Sequence, residues 1–290
     1  MASDMPCVRL IREVTQPRGS GPWNGQYALQ KALRATGPEW LHIGGPLREG
    51  EIPWIWCWED AELAARCAAL GRSFVVGPNV LFANSREPCK IPAERAVCSA
   101  DSCRLMFTES AWYRDLIEKH RGPKNVAPIV LWPYPIDPLP GGPLPPQYDL
   151  LIYAKSGYRN DLISSLQAQY PRSVVVRYGE YQREQLYALA RRSRACTYLS
   201  DDDRGPLALA EILLAGCPAI GLPHGAPFIC HGQTGILVRR FDLQICMETI
   251  GVCQELDRQA VAAAAAGEFD TERIVRIVVT ALQRFAASAE

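Results

Sequence analysis

The amino-acid sequence predicts an α/β protein of two lobes, each built on a mostly parallel β-sheet. Three observations support this prediction. The chain has 290 residues, whereas a single domain usually holds about 100–200 residues. Short apolar, β-rich runs alternate with amphipathic segments along most of the chain, which is typical of βαβ units. A proline-rich stretch at 133–147 separates two such alternating patterns.

The individual elements follow from the periodicity of the apolar residues. Apolar runs predict strands at 8–11, 40–43, 54–58, 74–76, 126–131, 150–153, 174–176, 197–199, 219–222 and 236–238. Apolar residues repeated every three or four positions predict helices at 27–35, 60–70, 111–119, 160–169, 183–194, 207–215 and 271–287. The alanine-rich stretch 261–266 is also interpreted as helix rather than linker. The run at 150–153 is apolar throughout, as expected for a parallel strand that is covered on both faces.

The stretch at 133–147 contains seven prolines and two glycines. Proline fixes φ and donates no backbone hydrogen bond, so this stretch cannot form a helix or a central strand. We interpret it as a semi-rigid connector, which gives an N-terminal lobe of residues 1–147 and a C-terminal lobe of 148–290. A long surface loop inside one domain is the alternative interpretation.

The composition argues against several classes of protein. The 31 Lys and Arg are balanced by 31 Asp and Glu, so binding of nucleic acid by bulk electrostatics is not expected. No stretch approaches the roughly 18 uncharged apolar residues of a membrane span, and the N-terminus lacks a signal-peptide pattern. The 11 cysteines show no Cys-x-x-Cys spacing. We expect a cytoplasmic protein with buried free thiols and no metal site.

The segment 200–238 has the features of an anion-binding site. Three consecutive acids, Asp201, Asp202 and Asp203, follow a predicted strand, and Arg204 and a Gly-Pro pair then lead into a helix. A helix N-terminus beyond the carboxyl end of a parallel strand offers unpaired N–H groups and the positive end of a dipole. This arrangement suits a diphosphate, and Arg204 adds a cation.

The order and spacing in this segment resemble the retaining GT-B glycosyltransferases of the GT4-like group. In that family an acidic residue is followed, after seven intervening residues, by a glutamate on a helix, and Asp203 and Glu211 have this separation here. Residues 215–220 match the next part of the motif, and His224-Gly225 takes the place of a Gly-Gly turn. The family has a longer glutamate where Asp203 stands, and Asp202 is an alternative for the functional acid.

The resemblance continues upstream, more loosely. Lys155 stands where the family has an arginine that holds the donor's phosphates, and Arg159 can supply a second cation. The stretch 19–25, ahead of a predicted helix, resembles the family's glycine-rich loop, where glycine lets the backbone approach a ligand closely. Trp23 in this loop is the tryptophan that we expect to be exposed to a ligand.

The resemblance implies a GT-B fold, with two Rossmann-like lobes whose parallel sheets face a central cleft, and transfer of a sugar with retention and without a metal or cofactor. Glu211 would bind the ribose hydroxyls, and the cations would stabilise the departing diphosphate of a UDP- or GDP-sugar. The implied catalytic residues are Asp203, Lys155, Arg159 and His224; the donor-binding residues are Glu211, Arg204, Gly205, Pro206, Gly225, Gly21, Asn24 and Gly25; the acceptor-side residues are Trp23, Glu59 and Asp60.

Other interpretations remain open from the sequence. The three aspartates can be helix caps, Glu59 and Asp60 can be ordinary helix-starting acids, and Lys155 and Arg159 can be surface cations. The fold also supports a nucleotide-sugar epimerase or a non-catalytic nucleotide-sugar-binding module. The acceptor, whether a small molecule, a glycan or a modified nucleic-acid base, is not specified by the sequence. From the family likeness we expect the last helix, 271–287, to return to the N-terminal lobe.

Overall fold

The computed structural model describes residues 6–17, 22–57, 60–79, 100–123, 125–137, 139–155 and 159–287. These residues form two compact units. The first contains the described residues of 1–17, 25–135 and 271–290, and the second contains those of 18–24 and 136–270. The boundary therefore falls inside the proline-rich stretch, and the last helix belongs to the first unit.

The first unit is built on a six-stranded parallel sheet with the order β2-β1-β3-β4-β5-β6. Its strands are β1 (Val8–Leu10), β2 (Leu41–Ile43), β3 (Ile52–Cys57), β4 (Phe74–Asn79), β5 (Cys103–Thr108) and β6 (Ile129–Leu131). Its helices are α1 (Pro22–Thr36, which belongs to this unit from residue 25 onward), α2 (Ala61–Ala69), α3 (Ala111–His120) and α9 (Thr271–Ala287). Strand β1, next to the edge strand β2, pairs with both β2 and β3, which places Leu10 opposite Ile43 on one side and Trp54 on the other.

Aromatic side chains and helix α9 fill the core on one face of this sheet. Trp54 stacks on Trp56 with ring centroids 5.2 Å apart, and Trp132 meets Trp56 edge-on at 5.3 Å. The apolar stripe of α9 is buried in the same cluster through residues such as Ile274, Val278, Leu282 and Phe285. This packing explains the 3.6-residue repeat of the last segment, because one face of α9 covers the sheet.

The second unit is built on a five-stranded parallel sheet with the order β11-β10-β9-β7-β8. Its strands are β7 (Leu150–Ala154), β8 (Ser173–Arg177), β9 (Cys196–Leu199), β10 (Ala219–Gly221) and β11 (Gly235–Leu237). Its helices are α4 (Asn160–Gln169), α5 (Arg183–Ala190), α6 (Leu207–Leu214), α7 (Leu243–Gln254) and α8 (Arg258–Glu268). Strand β8 pairs with one side of β7 and β9 pairs with the other side, so the strand order reverses between β7 and β9. In open α/β sheets ligands bind at the carboxyl ends of such strands.

The proline-rich stretch has no helix or strand in its described residues, as expected, but it is more firmly held than a free connector. Its carbonyl groups at Gly141, Gly142 and Leu144 accept hydrogen bonds of 2.7–2.9 Å from Tyr187, Arg191 and Arg258. The part of the stretch from Gly141 to Leu144 is therefore held against α5 and α8. The donors are side chains far along the sequence, which the local proline pattern does not reveal.

Several elements differ from the sequence-based expectation. Strand β5 and helix α7 were not among the predicted elements. Helix α1 begins at Pro22 rather than at residue 27, and α5 ends at Ala190 rather than at 194. The expected burial of free cysteines is confirmed at Cys67, Cys103, Cys196, Cys217, Cys246 and Cys253. None of the helices in the described ranges combines the length and apolar character of a membrane span.

Candidate active site at the carboxyl ends of β7 and β9

Lys155 and Asp203 meet at the point where the strand order of the second sheet reverses. Lys155 directly follows β7, and its backbone N–H donates to the Leu199 carbonyl at the end of β9 (2.9 Å). Its Nζ donates to Oδ2 of Asp203, whose side chain is only 7% exposed. The structure therefore brings together two of the residues that the family resemblance implies to be catalytic.

Asp203 is held from two further directions. The buried hydroxyl of Tyr198 donates to Asp203 Oδ2 at 3.2 Å, and the Asp203 backbone N–H donates to the His224 carbonyl at 2.8 Å. Tyr198 is the third residue of β9, so the strand itself fixes the carboxylate. The His224 side chain is exposed, and its backbone ties the loop after β10 to the acidic turn.

A second ion pair lies beside the first one. Arg159 Nη2 donates to Asp201 Oδ1 at 2.7 Å, and the Arg159 guanidinium lies 5.3 Å from the centre of the Phe241 ring. Asp202 and Arg204 are half-buried in the same turn. Lys155, Arg159 and Arg204 are thus matched in number by Asp201, Asp202 and Asp203, so the predicted cation cluster is locally neutral.

Glu211 is buried in the middle of α6 and is held by an arginine that the sequence analysis did not select. Seven of the eight residues of α6 are buried, and Glu211 itself is 8% exposed. Arg183, at the start of α5, donates from Nε to Glu211 Oε1 at 2.5 Å. Burial raises the pKa of Glu211 to about 7, although the charge and hydrogen bond of Arg183 act in the opposite direction. Glu211 is therefore a buried, ion-paired residue and not part of a solvated helix face.

Three tyrosines fill the space around these acids. The Tyr153 and Tyr198 rings stack with centroids 4.8 Å apart, and the Tyr153 and Tyr181 hydroxyls are 3.0 Å apart. Burial raises the pKa of Tyr181 to about 12, and the negative charges of Glu211 and Asp203 also raise it. These rings remain neutral at physiological pH and give the acids a weakly polar environment, in which charge interactions are stronger.

The glycine and proline of the predicted motif have clear structural roles. Pro206 is buried at the N-cap position of α6, and Gly205 precedes it in the turn. Gly225 lies against the backbone of Ser200, where a Cβ would be 1.8 Å from the carbonyl oxygen. Gly225 is therefore required for the loop after β10 to pack on the loop after β9, whatever it contacts in a ligand.

The predicted glycine-rich loop is partly helical. Gly21 lies outside the described residues, whereas Trp23, Asn24 and Gly25 belong to the first turns of α1. A Cβ on Gly25 would lie 2.5 Å from atoms of Tyr134. The expectation that Gly25 belongs to a loop is therefore wrong, and its small size is explained by close packing of α1 on Tyr134. Trp23 and Asn24 are half-buried.

Of the two acceptor-side acids, Glu59 lies outside the described residues and Asp60 forms an ion pair. Asp60 is at the N-cap position of α2, and its two carboxylate oxygens accept from Arg12 at 2.9 and 3.2 Å. Arg12 follows β1 and Asp60 follows β3, which are neighbouring strands of the first sheet. The pair therefore lies at the carboxyl end of that sheet.

The fold is similar to those of solved glycosyltransferases. Sucrose-phosphate synthase from Thermosynechococcus elongatus has a TM-score of 0.67 at 13% identity, with 98% of this chain and 100% of that chain covered. Anabaena HepE in complex with UDP-glucose gives 0.60 at 12% identity, with 98% and 99% covered. AviGT4, a glycosyltransferase involved in avilamycin A biosynthesis, gives 0.55 at 16% identity, with 98% of both chains covered. The fold is GT-B. No family model and no curated protein matches the sequence of this GT-B chain.

The sequence did not predict a role in the site for two residues of this GT-B chain, Arg183 and Tyr198. Arg183 lies 28 positions before its partner Glu211, and nothing in the local sequence links the two. The sequence predicted that Tyr198 lies in a strand, but it gave no role to the hydroxyl. A buried tyrosine usually has a hydrogen-bond partner, so its hydroxyl could have indicated a contact with a nearby acid. Among the described residues, no group of three or more His, Cys, Asp or Glu is placed to hold a metal ion.

Proposed function

We propose that this chain is a glycosyltransferase that moves a sugar from a nucleotide-sugar donor to an acceptor, with retention of configuration and without a metal. The observation that carries the proposal is the arrangement of Lys155, Asp203 and Glu211 at the carboxyl ends of β7 and β9 and on α6. This is the strand-order reversal of an open α/β sheet, where ligands bind. The GT-B fold supports a nucleotide sugar as the ligand class, and the UDP-glucose complex of HepE also supports it.

Glu211 is the proposed contact for the donor's ribose. An ionised carboxylate accepts hydrogen bonds from two neighbouring hydroxyls, which is how it would recognise a ribose. Arg183 keeps a share of Glu211 ionised near neutral pH by opposing the effect of burial. Arg183 is therefore proposed as a positioning residue, since it acts through Glu211.

Lys155, Arg159 and Arg204 are the proposed contacts for the diphosphate, with the backbone at Gly205. Because Lys155 and Arg159 already pair with Asp203 and Asp201, the diphosphate has to compete with these carboxylates. Once the phosphates take over Lys155, Asp203 is available to contact sugar hydroxyls and the positive charge that develops at the anomeric carbon. Asp202 remains the alternative acid.

The acceptor is proposed to bind to the first unit. The Arg12–Asp60 pair lies at the carboxyl end of neighbouring strands there and offers both a donor and an acceptor of hydrogen bonds. Trp23, Asn24 and His224 remain proposed ligand contacts. A UDP- or GDP-sugar donor and a cytoplasmic location stay predictions.

The first experiment identifies the donor and then tests for transfer. Thermal-shift measurements with UDP-, GDP-, ADP- and dTDP-sugars should show stabilisation by one nucleotide class, because a ligand that binds only the folded state raises its stability. Release of the nucleoside diphosphate is then measured with pooled sugars, glycans and nucleosides as acceptors, in the presence and absence of EDTA. Proton NMR of the product reports the anomeric configuration.

The matched variants are Glu211→Gln and Glu248→Gln. Glu248 is an exposed glutamate on α7 in the same unit, so its change should leave donor binding intact, whereas Glu211→Gln should abolish it. Wild-type transfer by Glu211→Gln contradicts the assignment. Conversion of the donor sugar without an acceptor identifies an epimerase, and stabilisation without any turnover identifies a binding module.

A further inference from the structure

A large cavity lies in the first unit, beside the edge strand of its sheet. It has a volume of about 710 Å³ and lies between α9 and the strands β5 and β6. Pockets that bind small molecules usually measure about 300–1,000 Å³. All of its described lining residues belong to the first unit, and none of them was assigned a role by the sequence motif.

The wall of the cavity is mainly apolar. Leu105 and Val130 line it from the sheet, and Ala281 and Phe285 line it from α9. At its border the side chain of Val126 is 81% exposed. An apolar ligand chain in the cavity would remove this surface from water, a favourable process that scales with the area buried.

The border of the cavity is positively charged. Among the described lining residues, Arg104, Arg276 and Arg284 are accompanied by one acid, Asp101. All four side chains are exposed. Within the described part of the chain none of these three arginines forms a salt bridge. The charge of this border therefore complements a negatively charged group, and guanidinium groups bind carboxylates and phosphates well.

We propose that this cavity binds an amphiphilic anion from solution: a single alkyl chain against the apolar wall, with a phosphate or carboxylate head among the three arginines. The apolar lining and the cationic border together favour this class of ligand. A neutral alkyl chain would make no ionic contact with the arginines, and a small anion would not fill the apolar cavity. The site is separate in sequence and unit from the Lys155–Asp203 site, so it does not depend on the proposed function.

The binding test uses alkyl phosphates below their micelle concentration and isothermal titration on the full chain. Affinity should rise about fourfold per methylene from hexyl to decyl phosphate, because each buried methylene contributes a constant transfer free energy. Inorganic phosphate, decanol and decyltrimethylammonium should each bind at least tenfold more weakly than decyl phosphate. Equal binding of decanol or of the cationic amphiphile overturns the proposal.

Two pairs of variants locate the site. Ala281→Trp fills the cavity and should abolish decyl phosphate binding, whereas Gln283→Trp, on the exposed side of α9, should bind normally. Arg276→Glu combined with Arg284→Glu should lower the affinity at least tenfold, whereas Arg66→Glu, an exposed arginine on α2, should not. Unchanged melting temperatures of the arginine variants show that they are folded. Wild-type affinity in all four proteins overturns the assignment of the site.

Two further measurements distinguish the proposal from other uses of the same surface. The protein could sediment with phosphatidylglycerol vesicles in a way that depends on Arg276 and Arg284, while monomeric decyl phosphate does not bind. That result would make the surface a membrane contact and would overturn the proposal. Self-association that Ala281→Trp abolishes, again without decyl phosphate binding, makes it an interface between copies and overturns it as well. Binding of the monomeric amphiphile by a protein that sediments as a monomer supports it.

Discussion

Arg183 donates a hydrogen bond of 2.5 Å to the buried carboxylate of Glu211. The two residues come from different helices, since Arg183 begins α5 and Glu211 lies inside α6. Burial makes the ionised form of Glu211 costly, and the guanidinium stabilises it. These opposing effects hold the pKa of Glu211 near 7, so small changes around the pair alter the charge of the site.

Replacing Arg183 should weaken donor binding through Glu211. In Arg183→Leu the pKa of Glu211 rises further, and most of the carboxylate is protonated at neutral pH. We expect donor affinity at pH 7 to fall by about tenfold, equivalent to about 1.4 kcal/mol, as measured by isothermal titration with the donor from the thermal-shift screen. Raising the pH should restore part of the loss. Arg194→Leu, an exposed arginine of the same unit, is the control, and an equal loss there would contradict this explanation.

Glu211 should also make the stability of the protein depend on pH. Its pKa is raised from 4.5 to about 7 by burial, so between these values the folded state binds a proton that the unfolded state has lost. The contribution of Glu211 to stability is therefore complete below about pH 4.5 and is lost as the pH rises through about 7.

Over that window the free energy of unfolding of the wild type should fall by about 3 kcal/mol relative to Glu211→Gln, which cannot ionise. Urea unfolding of both proteins between pH 4.5 and 8 measures the difference. Parallel pH profiles for the two proteins would show that Glu211 does not titrate in this range.

Asp203 should compete with phosphate for Lys155. In Asp203→Asn the carboxylate no longer pairs with the Lys155 ammonium, so the affinity for inorganic pyrophosphate should rise about tenfold, while sugar transfer should be lost. The opposite signs distinguish competition from simple damage to the site, which lowers both. Asp149→Asn, which disrupts the more exposed pair with Arg172, should change neither quantity. Lower pyrophosphate affinity in Asp203→Asn would refute the competition.

Two glycines on helices should respond in opposite ways to alanine. A Cβ at Gly25 on α1 would lie 2.5 Å from Tyr134, whereas one at Gly251 on α7 meets no atom within 4 Å. We expect Gly25→Ala to destabilise the protein by about 1–3 kcal/mol through overpacking. Gly251→Ala should stabilise it by about 0.8 kcal/mol, because alanine is the better helix former. Urea unfolding measures both, and a destabilising Gly251→Ala would show that helix propensity does not decide there.

Much of the fold was predictable because parallel α/β units impose strong apolar patterns. The runs at β7, β9 and β10 are buried on both faces, and the stripe on α9 matches the face that it buries. Strand β6 begins later than predicted because Pro128 interrupts the apolar run before Ile129. Helix α1 begins earlier than predicted, with Pro22 and Trp23 in its first turn. The glycines near them in the sequence favoured the prediction of a loop there.

The site was predictable where it depends on neighbouring positions and not where it depends on distant ones. Asp203 and Glu211 share a short motif, so the resemblance to that motif already implied an acid before the helix and a glutamate on it. Lys155 and Asp203 are 48 positions apart in the sequence, and they follow two different strands. Only the parallel pairing of these strands brings the two side chains together. The sequence predicted which charged residues belong to the site, but it did not predict which of them form ion pairs with one another.

Helix α9 completes the core of the first unit although it follows the whole second unit in the chain. During synthesis on the ribosome, residues 136–270 emerge before α9 exists, so the second unit can fold while the first still exposes the sheet face around Trp56 and Trp132. Until α9 arrives, that face is open to misassociation, a known hazard of exposed apolar surface in nascent chains. The first unit is therefore synthesised first but completes its folding last, because its final helix is the last element to be translated.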